Sequence, residues 1–95
     1  TKARRANDLV ARIGGEEFVL ILPNINYENA FNLAEKLRVM VEEESIANVK
    51  VTISIGLVVT QKNSPLDLEV LLHASDNALY KSKEAGRNRT SVAKV

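Results

Sequence analysis

The sequence predicts an α+β fold in which two helices flank a small sheet. Two short apolar runs meet at a pair of glycines near the start of the chain, and a run rich in β-branched residues lies further on. Two stretches with apolar residues at helical spacing stand before and after that run. The predicted order is therefore strand, strand, helix, strand, helix, strand, an arrangement typical of helices packed on a sheet.

The first two strands are predicted at residues 9–13 and 16–22, as the arms of a hairpin. Gly14 and Gly15 stand between them, and tight primed turns need the positive φ that glycine adopts at little cost. Pro23 ends the second strand, because proline cannot donate to a strand ladder.

The first helix is predicted from about Tyr27 to Glu44, with Asn24 or Asn26 as its N-terminal cap. One face of this helix is apolar at helical spacing: Ala30, Phe31, Leu33, Ala34, Leu37 and Val41.

The second helix is predicted to start at Ser64, with Ser64 as cap and Pro65 in the first helical position. Gly86 suits its C-terminal cap. The residues that this helix is expected to bury are Leu68, Leu71, Leu72, Ala74, Ser75, Ala78 and Leu79.

A strand is predicted at residues 49–59 and a short closing strand at residues 90–95. The first of these is nearly apolar throughout, and such strands usually have neighbours on both sides. The sequence does not obviously supply enough of them.

Composition excludes several classes of protein. The chain has 95 residues, a formal net charge of +1 and no cysteine. The small net charge argues against a partner that is a nucleic acid polymer, and the absence of cysteine excludes disulfides and thiolate metal sites. No apolar run approaches the ~20 residues that cross a bilayer, so no membrane contact is expected. The first residue is not methionine, which suggests a start inside a longer protein.

Three segments carry a family resemblance. Residues 12–18, RIGGEEF, closely resemble the signature of GGDEF domains in the variant with glutamate at its third position. Residues 51–56, VTISIG, look like the family's strand after the third helix, and residues 74–88, ASDNALYKSKEAGRN, like its last helix and exit. On this resemblance, residues 1–95 are the C-terminal portion of a single GGDEF domain.

The resemblance implies a partial nucleotidyl-cyclase-like sheet, of the ferredoxin-like palm type, without its first strand and first helices. In the family that first strand lies between the signature hairpin and the strand at residues 51–59. Its absence would expose unpaired backbone groups. We therefore expect the chain either to associate with itself or to close the gap with its own strands.

The implied activity is that of a bacterial cytoplasmic diguanylate cyclase. Two GGDEF domains would face each other as a homodimer, each with GTP and Mg²⁺, and produce cyclic di-GMP and pyrophosphate. The isolated chain is expected to be inactive, because the family's Asp for a second metal position and its guanine-reading residues match nothing here. The alternative is a catalytically degenerate domain that binds cyclic di-GMP or GTP.

The resemblance implies that Glu16 is the metal ligand and the catalytic carboxylate, and that Gly14 and Gly15 let the phosphates approach the turn. Spacing alone indicates only a turn at the two glycines. On an extended strand, Glu16 and Glu17 would point to opposite faces, which leaves Glu17 a supporting role. The alternative for both is a solvated carboxylate at a hairpin end.

Lys83 and Arg87 are assigned to the GTP β- and γ-phosphates by the same resemblance. Their i, i+4 spacing would put them on one helix face. The alternative is stabilisation of the helix C-terminus by positive charge. Asn88 is expected to be structural.

Arg5 and Asp8 match the RxxD motif that binds inhibitory product in relatives. Arginine can pair with a phosphate or a guanine edge, and aspartate can accept from guanine. The alternative is a surface ion pair. Lys36 stands where some relatives carry an arginine, and it lacks the fork of a guanidinium.

Overall fold

Four strands form one sheet, with one helix on each face of it. In the computed structural model, residues 8–23, 25–46, 49–60 and 67–95 are described. Their elements are β1 (Leu9–Gly14), β2 (Glu17–Leu22), α1 (Tyr27–Glu43), β3 (Ser45–Ile46), β4 (Val49–Lys50), β5 (Ser54–Val59), α2 (Leu68–Glu84) and β6 (Thr90–Lys94). This order confirms the α+β class.

The main sheet has the order β1-β2-β5-β6. β1 and β2 are antiparallel, whereas β2–β5 and β5–β6 are parallel pairs. Every residue of β5 is buried, as expected of a strand with neighbours on both sides. The chain supplies both neighbours, because β2 and β6 flank β5 in the sheet.

The chain's own strands close the gap that the family's first strand would fill, which is the second of the two outcomes expected. β2 and β5 pair directly along six residue pairs, from Glu17 with Ser54 to Leu22 with Val59. A further bond, from the Ser54 amide to the Glu16 carbonyl at 2.8 Å, extends this contact into the hairpin turn. Self-association of the chain stays a prediction.

α1 covers one face of the sheet. Its Asn26 cap accepts a bond from the Asn29 amide at 3.1 Å, and Ala30 and Ala34 are completely buried. Small residues there let the helix lie close to the strands. The other buried residues of this core are Leu20 and Leu22 of β2, Ile53 just before β5, and Ile55, Leu57 and Val59 of β5.

α2 covers the opposite face, and Gly56 of β5 lies directly beneath it. A Cβ atom at position 56 would lie 2.6 Å from the Leu79 amide nitrogen and 2.8 Å from the Ser75 carbonyl oxygen. Only glycine fits there, so the helix backbone comes unusually close to the sheet. The neighbouring core on this face includes Ile21, Val58 and Leu71.

The predicted start of the second helix is wrong. The helix begins at Leu68, and Asp67 caps it by accepting bonds from the amides of Glu69 and Val70. A carboxylate cap satisfies two amides and adds a negative charge where the helix dipole favours one. Ser64 and Pro65 lie outside the described residues.

Two further predictions of burial and continuity need correction. Leu68 and Leu72 are 64% and 45% exposed, because the face of α2 that packs on the sheet at Gly56 is a different one, with Leu71, Ser75, Ala78, Leu79 and Ser82. The predicted strand at residues 49–59 is also interrupted. Its first two residues pair with β3 in a separate two-stranded sheet.

Candidate active site

The hairpin turn consists of Gly15 and Glu16, with Gly14 still in β1. Among the described residues, positive φ occurs only at positions 86–88. The prediction of a primed turn with positive φ at the glycines is therefore wrong. The register shift between Arg12 and Gly14 marks a β-bulge, which adds twist that a primed turn would otherwise supply.

Arg12 holds this turn from the β1 side. Its Nε donates to the Gly14 carbonyl at 3.1 Å, and its terminal nitrogen donates to the Gly15 carbonyl at 2.9 Å. Arg12 was not singled out from the sequence. An arginine two residues before a glycine pair is a local signal that could have found it, because turn carbonyls lack strand partners.

Gly15 borders open space. A Cβ atom built there would meet no atom within 4 Å, whereas one at Gly14 would lie 3.4 Å from the Glu17 carboxylate. Gly15 is thus not required by packing. The space in front of its backbone is what a ligand could use.

Glu16 lies in the turn rather than on a strand, so the prediction that Glu16 and Glu17 alternate along an extended strand is wrong. The Glu16 side chain is exposed and makes no hydrogen bond or ion pair with any described residue. Its carboxylate is available to a ligand in solvent.

Glu17 lies beside both predicted phosphate-binding cations. Its Oε2 is 3.3 Å from Lys83 Nζ and 3.9 Å from an Arg87 guanidinium nitrogen. The structure therefore brings the hairpin and the end of α2 together, although they are more than 60 residues apart. Lys83 and Glu17 are partly exposed, and ion pairs of this kind contribute little stability.

Arg87 reaches this position from outside the helix. α2 ends at Glu84, and Arg87 has φ 63° in the following turn. The predicted i, i+4 pairing of Lys83 and Arg87 on one helix face is wrong, although their side chains meet at Glu17. Gly86, with φ 119°, follows the Ala85 cap and confirms the predicted helix end.

Lys83 is placed by a buried seam between α2 and β5. Next to it, the Ser82 hydroxyl donates to the Ile55 carbonyl at 2.8 Å, and Ser91 Oγ lies 2.9 Å away. Ser82 is fully buried, and these bonds satisfy it. Together with Gly56, they fix the last turn of α2 against the sheet.

A polar cluster joins α1 to the turn that holds Arg87. Arg38 makes two bonds of 2.8 Å to the Glu35 carboxylate and one of 2.8 Å to Asn88 Oδ1. Asn88 in turn donates to Glu42 at 2.7 Å. This confirms the structural role expected for Asn88.

The charges in this cluster support each other. The hydrogen bonds from Arg38 lower the pKa of Glu35 below its ordinary value, and the same bonds raise the pKa of Arg38. Arg38 is the cause of the lowered Glu35 pKa, since the buried Thr90 hydroxyl oxygen has no hydrogen-bond partner among the described residues.

The described residues contain no group of three or more carboxylates or histidines that could hold a metal ion by itself. The donor chemistry nevertheless fits a hard cation in part. Glu16 offers a free carboxylate of the type that Mg²⁺ prefers. Magnesium commonly takes one or two carboxylates and completes its shell with phosphate and water oxygens, so this chain could supply one part of such a site.

The residues of the predicted inhibitory motif are placed only in part. Arg5 lies outside the described residues. Asp8 immediately precedes β1 and is only 4% exposed, so it is not the surface carboxylate that the ion-pair alternative implied. In the part of the chain that the structure describes, neither helix is long and apolar enough to cross a membrane.

Comparison with known proteins places these features in a family. The family model described as "Diguanylate cyclase, GGDEF domain" matches residues 1–89. A probable diguanylate cyclase of Escherichia coli, DgcT, is 47% identical over 100 residues, which cover 99% of this chain and 22% of that protein. No solved structure matches the chain significantly.

Two other relatives show similar coverage. Diguanylate cyclase DgcM of Escherichia coli is 44% identical over 94% of this chain, and diguanylate cyclase A of Treponema denticola is 42% identical over 95%. The chain spans 22% and 25% of the length of these two proteins, respectively.

Proposed function

Since the chain belongs to the GGDEF-domain family of diguanylate cyclases, we propose that the intact protein condenses two GTP molecules into cyclic di-GMP. The observation that carries this proposal is the meeting of Lys83 and Arg87 at Glu17 of the hairpin, next to the turn in which Gly15 borders open space. Two cations and an open backbone form a suitable place for the charged end of a nucleoside triphosphate.

Lys83 and Arg87 bind the β- and γ-phosphates in this proposal, and Gly14 and Gly15 let those phosphates approach the turn. Glu17 holds the two cations in place before the nucleotide arrives. Because its ion pairs are 3.3 and 3.9 Å long and partly exposed, phosphate oxygens can replace them at small cost.

Glu16 is the proposed catalytic carboxylate. It would hold Mg²⁺ and help to remove the proton of the attacking 3′-hydroxyl. Bound magnesium would neutralise phosphate charge and orient the phosphates for displacement. In each of the two reactions, a bond forms between a 3′-oxygen and the α-phosphorus, the bond to the β-phosphate oxygen breaks, and pyrophosphate leaves.

Two copies of the domain are needed for this product. One copy binds one triphosphate, whereas cyclic di-GMP contains two phosphodiester bonds made between two nucleotides. We therefore propose a homodimer of GGDEF domains in the bacterial cytoplasm, with each 3′-hydroxyl directed at the partner's α-phosphate. Arg5 and Asp8 are proposed to bind the product and restrain turnover.

The direct test is turnover of GTP with Mg²⁺ by the intact protein, followed by separation of cyclic di-GMP and pyrophosphate. Lys83→Met should lower kcat/KM at least about tenfold, the loss expected when ~1.4 kcal/mol of phosphate binding is removed. Lys81→Met is the matched control, because Lys81 lies on the same helix turn but is exposed and has no ion pair among the described residues. Equal effects of the two substitutions would contradict the assignment of Lys83.

The catalytic carboxylate is tested in the same assay. Glu16→Gln keeps the shape of the side chain but removes its charge, and we expect a loss of kcat of about a hundredfold or more, as is typical of a group in acid–base catalysis. Glu28→Gln, an exposed carboxylate on the first turn of α1, is the control. If the intact protein bound labelled cyclic di-GMP but did not turn over GTP, the result would instead favour the alternative, a catalytically degenerate domain that acts as a receptor.

The isolated 95-residue chain is predicted to make no cyclic di-GMP. Its described residues supply only part of a metal site. Product formed by the pure chain would refute this prediction, and light scattering of the same sample tests whether the chain self-associates.

A further inference from the structure

We infer that Arg38 is a positioning residue that holds the turn of Arg87 in its phosphate-binding conformation. The inference rests on the proposed function, since it assigns Arg38 a task in the site that Arg87 serves. Arg38 itself lies on α1 and is distinct from the residues that meet at Glu17.

The contact between Arg38 and the turn is specific on both sides. The Arg38 guanidinium uses two nitrogens for the Glu35 carboxylate and donates from its remaining nitrogen to Asn88 Oδ1. The Asn88 amide nitrogen donates to Glu42, whose other oxygen lies 3.7 Å from Arg38. Both polar atoms of the Asn88 side chain are therefore occupied by side chains of one helix.

The turn that this cluster holds is strained. Gly86, Arg87 and Asn88 have φ of 119°, 63° and 47° in succession. Residues other than glycine rarely adopt positive φ, and such conformations persist where the surroundings hold them in place. The hydrogen bonds of Asn88 with Arg38 and Glu42, which we call the Asn88 clamp, are a suitable restraint, because they fix the side chain of the residue next to Arg87.

The direction of the Arg87 side chain depends on this backbone conformation. Arg87 is 61% exposed and approaches Glu17 only to 3.9 Å, so its own contacts restrain it weakly. Its amide donates to the Ser82 carbonyl at 2.9 Å, which ties the turn to α2 from one side. The clamp at Asn88 ties it to α1 from the other side.

Arginine suits this position better than lysine. The Arg38 side chain is only 15% exposed, and it serves two partners through a planar fork that an ammonium group lacks. The rival explanation is that the cluster only joins α1 to the sheet. The two explanations differ in whether the effect of the cluster passes through Arg87.

The test uses the intact protein and two variants of the clamp. Asn88→Gly removes the clamped side chain at a φ that glycine adopts without strain, so folding is preserved. We expect its KM for GTP to rise about five- to tenfold, within the range of coupling in one hydrogen-bond network, with kcat changed less than about twofold. Arg38→Lys should give the same separation of KM from kcat, whereas the control Glu43→Gln, exposed on α1, should change neither.

The decisive comparison repeats Asn88→Gly in an Arg87→Ala background. If the clamp acts through Arg87, the second substitution should change KM less than about twofold there, because the group that it positions is gone. A full five- to tenfold effect in that background would overturn the inference, as would an unchanged KM in Asn88→Gly alone. Absence of GTP turnover in the unsubstituted protein would refute the proposed function instead.

Discussion

The two parts of the candidate site, Lys83 at the end of α2 and Glu16 in the hairpin turn, are held in place by different contacts. Lys83 follows a buried seam in which Ser82 bonds to the β5 backbone and Gly56 lets the helix touch the sheet. Glu16 stands in an exposed turn whose side-chain support comes from Arg12 alone among the described residues. Lys83 is therefore anchored beside the core, whereas the turn that carries Glu16 projects from it.

This difference predicts how substitutions divide between stability and activity. Changes in the seam should lower the free energy of unfolding. Changes in the turn should alter activity and leave stability nearly unchanged, because no side chain packs against Gly15.

The largest expected effect is that of Gly56→Ala. The added Cβ would meet backbone atoms of α2 at 2.6 and 2.8 Å, and backbone cannot move aside as a flexible side chain can. We expect a loss of about 3 kcal/mol in the free energy of unfolding, the upper part of the usual range for overpacking. Urea denaturation of the chain measures it, and a loss below about 1 kcal/mol would show that the seam is looser than described.

Gly15→Ala should have the opposite effect, with a loss of activity and almost no loss of stability. It adds a methyl group to open space at a residue without positive φ, so the free energy of unfolding should change by less than about 0.5 kcal/mol. In the intact protein, kcat/KM for GTP should fall at least about tenfold, or ~1.4 kcal/mol, because phosphates lose access to the turn. Full activity in this variant would mean that no ligand uses the space in front of Gly15.

Ser82→Ala should have an intermediate effect on stability. It removes the bond to the Ile55 carbonyl and the contact with Ser91, at a cost of about 1 kcal/mol. Ser91→Ala is the matched variant, since it removes only the second contact and should cost less. Denaturation of both variants in parallel decides whether the backbone bond matters more.

The smallest expected effect is the pH dependence that Glu35 contributes. Its pKa is lower in the folded chain than in the unfolded chain, so the unfolded state takes up the proton more readily. The stabilisation is therefore complete above about pH 5 and is lost as the pH falls below the usual glutamate pKa of about 4.3. Glu35→Gln should lose less stability than the unsubstituted chain between about pH 5 and 3, and parallel acid titrations of the two would show no difference if the Arg38 pair were without effect.

Features set by neighbouring residues were predictable from the sequence. The helix at residues 27–43, its Asn26 cap and the glycine after α2 follow from local spacing and cap chemistry. The family resemblance assigned Glu16, Lys83 and Arg87 to one site, and position alone gave Glu17 a supporting role. The structure brings Lys83 and Arg87 together at Glu17, whereas the Glu16 side chain makes no ion pair with either cation.

Features set by distant contacts were not predictable. The left-handed turn at Arg87 depends partly on Arg38, which is 49 residues away in sequence, and no local pattern connects the two. Leu68 and Leu72 have the spacing of core residues, but the close contact at Gly56 decides which face of α2 is buried. The bulge before Gly14 likewise removed the need for positive φ in the turn.

The direct pairing of β2 with β5 also bears on how fast the sheet can assemble. The β1–β2 hairpin joins neighbouring residues and can form within about 1–10 μs. The parallel pairs β2–β5 and β5–β6 must each wait until the segment between them, with its helix, has crossed over the sheet. Because closing such long loops slows folding, the central strand should be the last part of the sheet to find both of its neighbours.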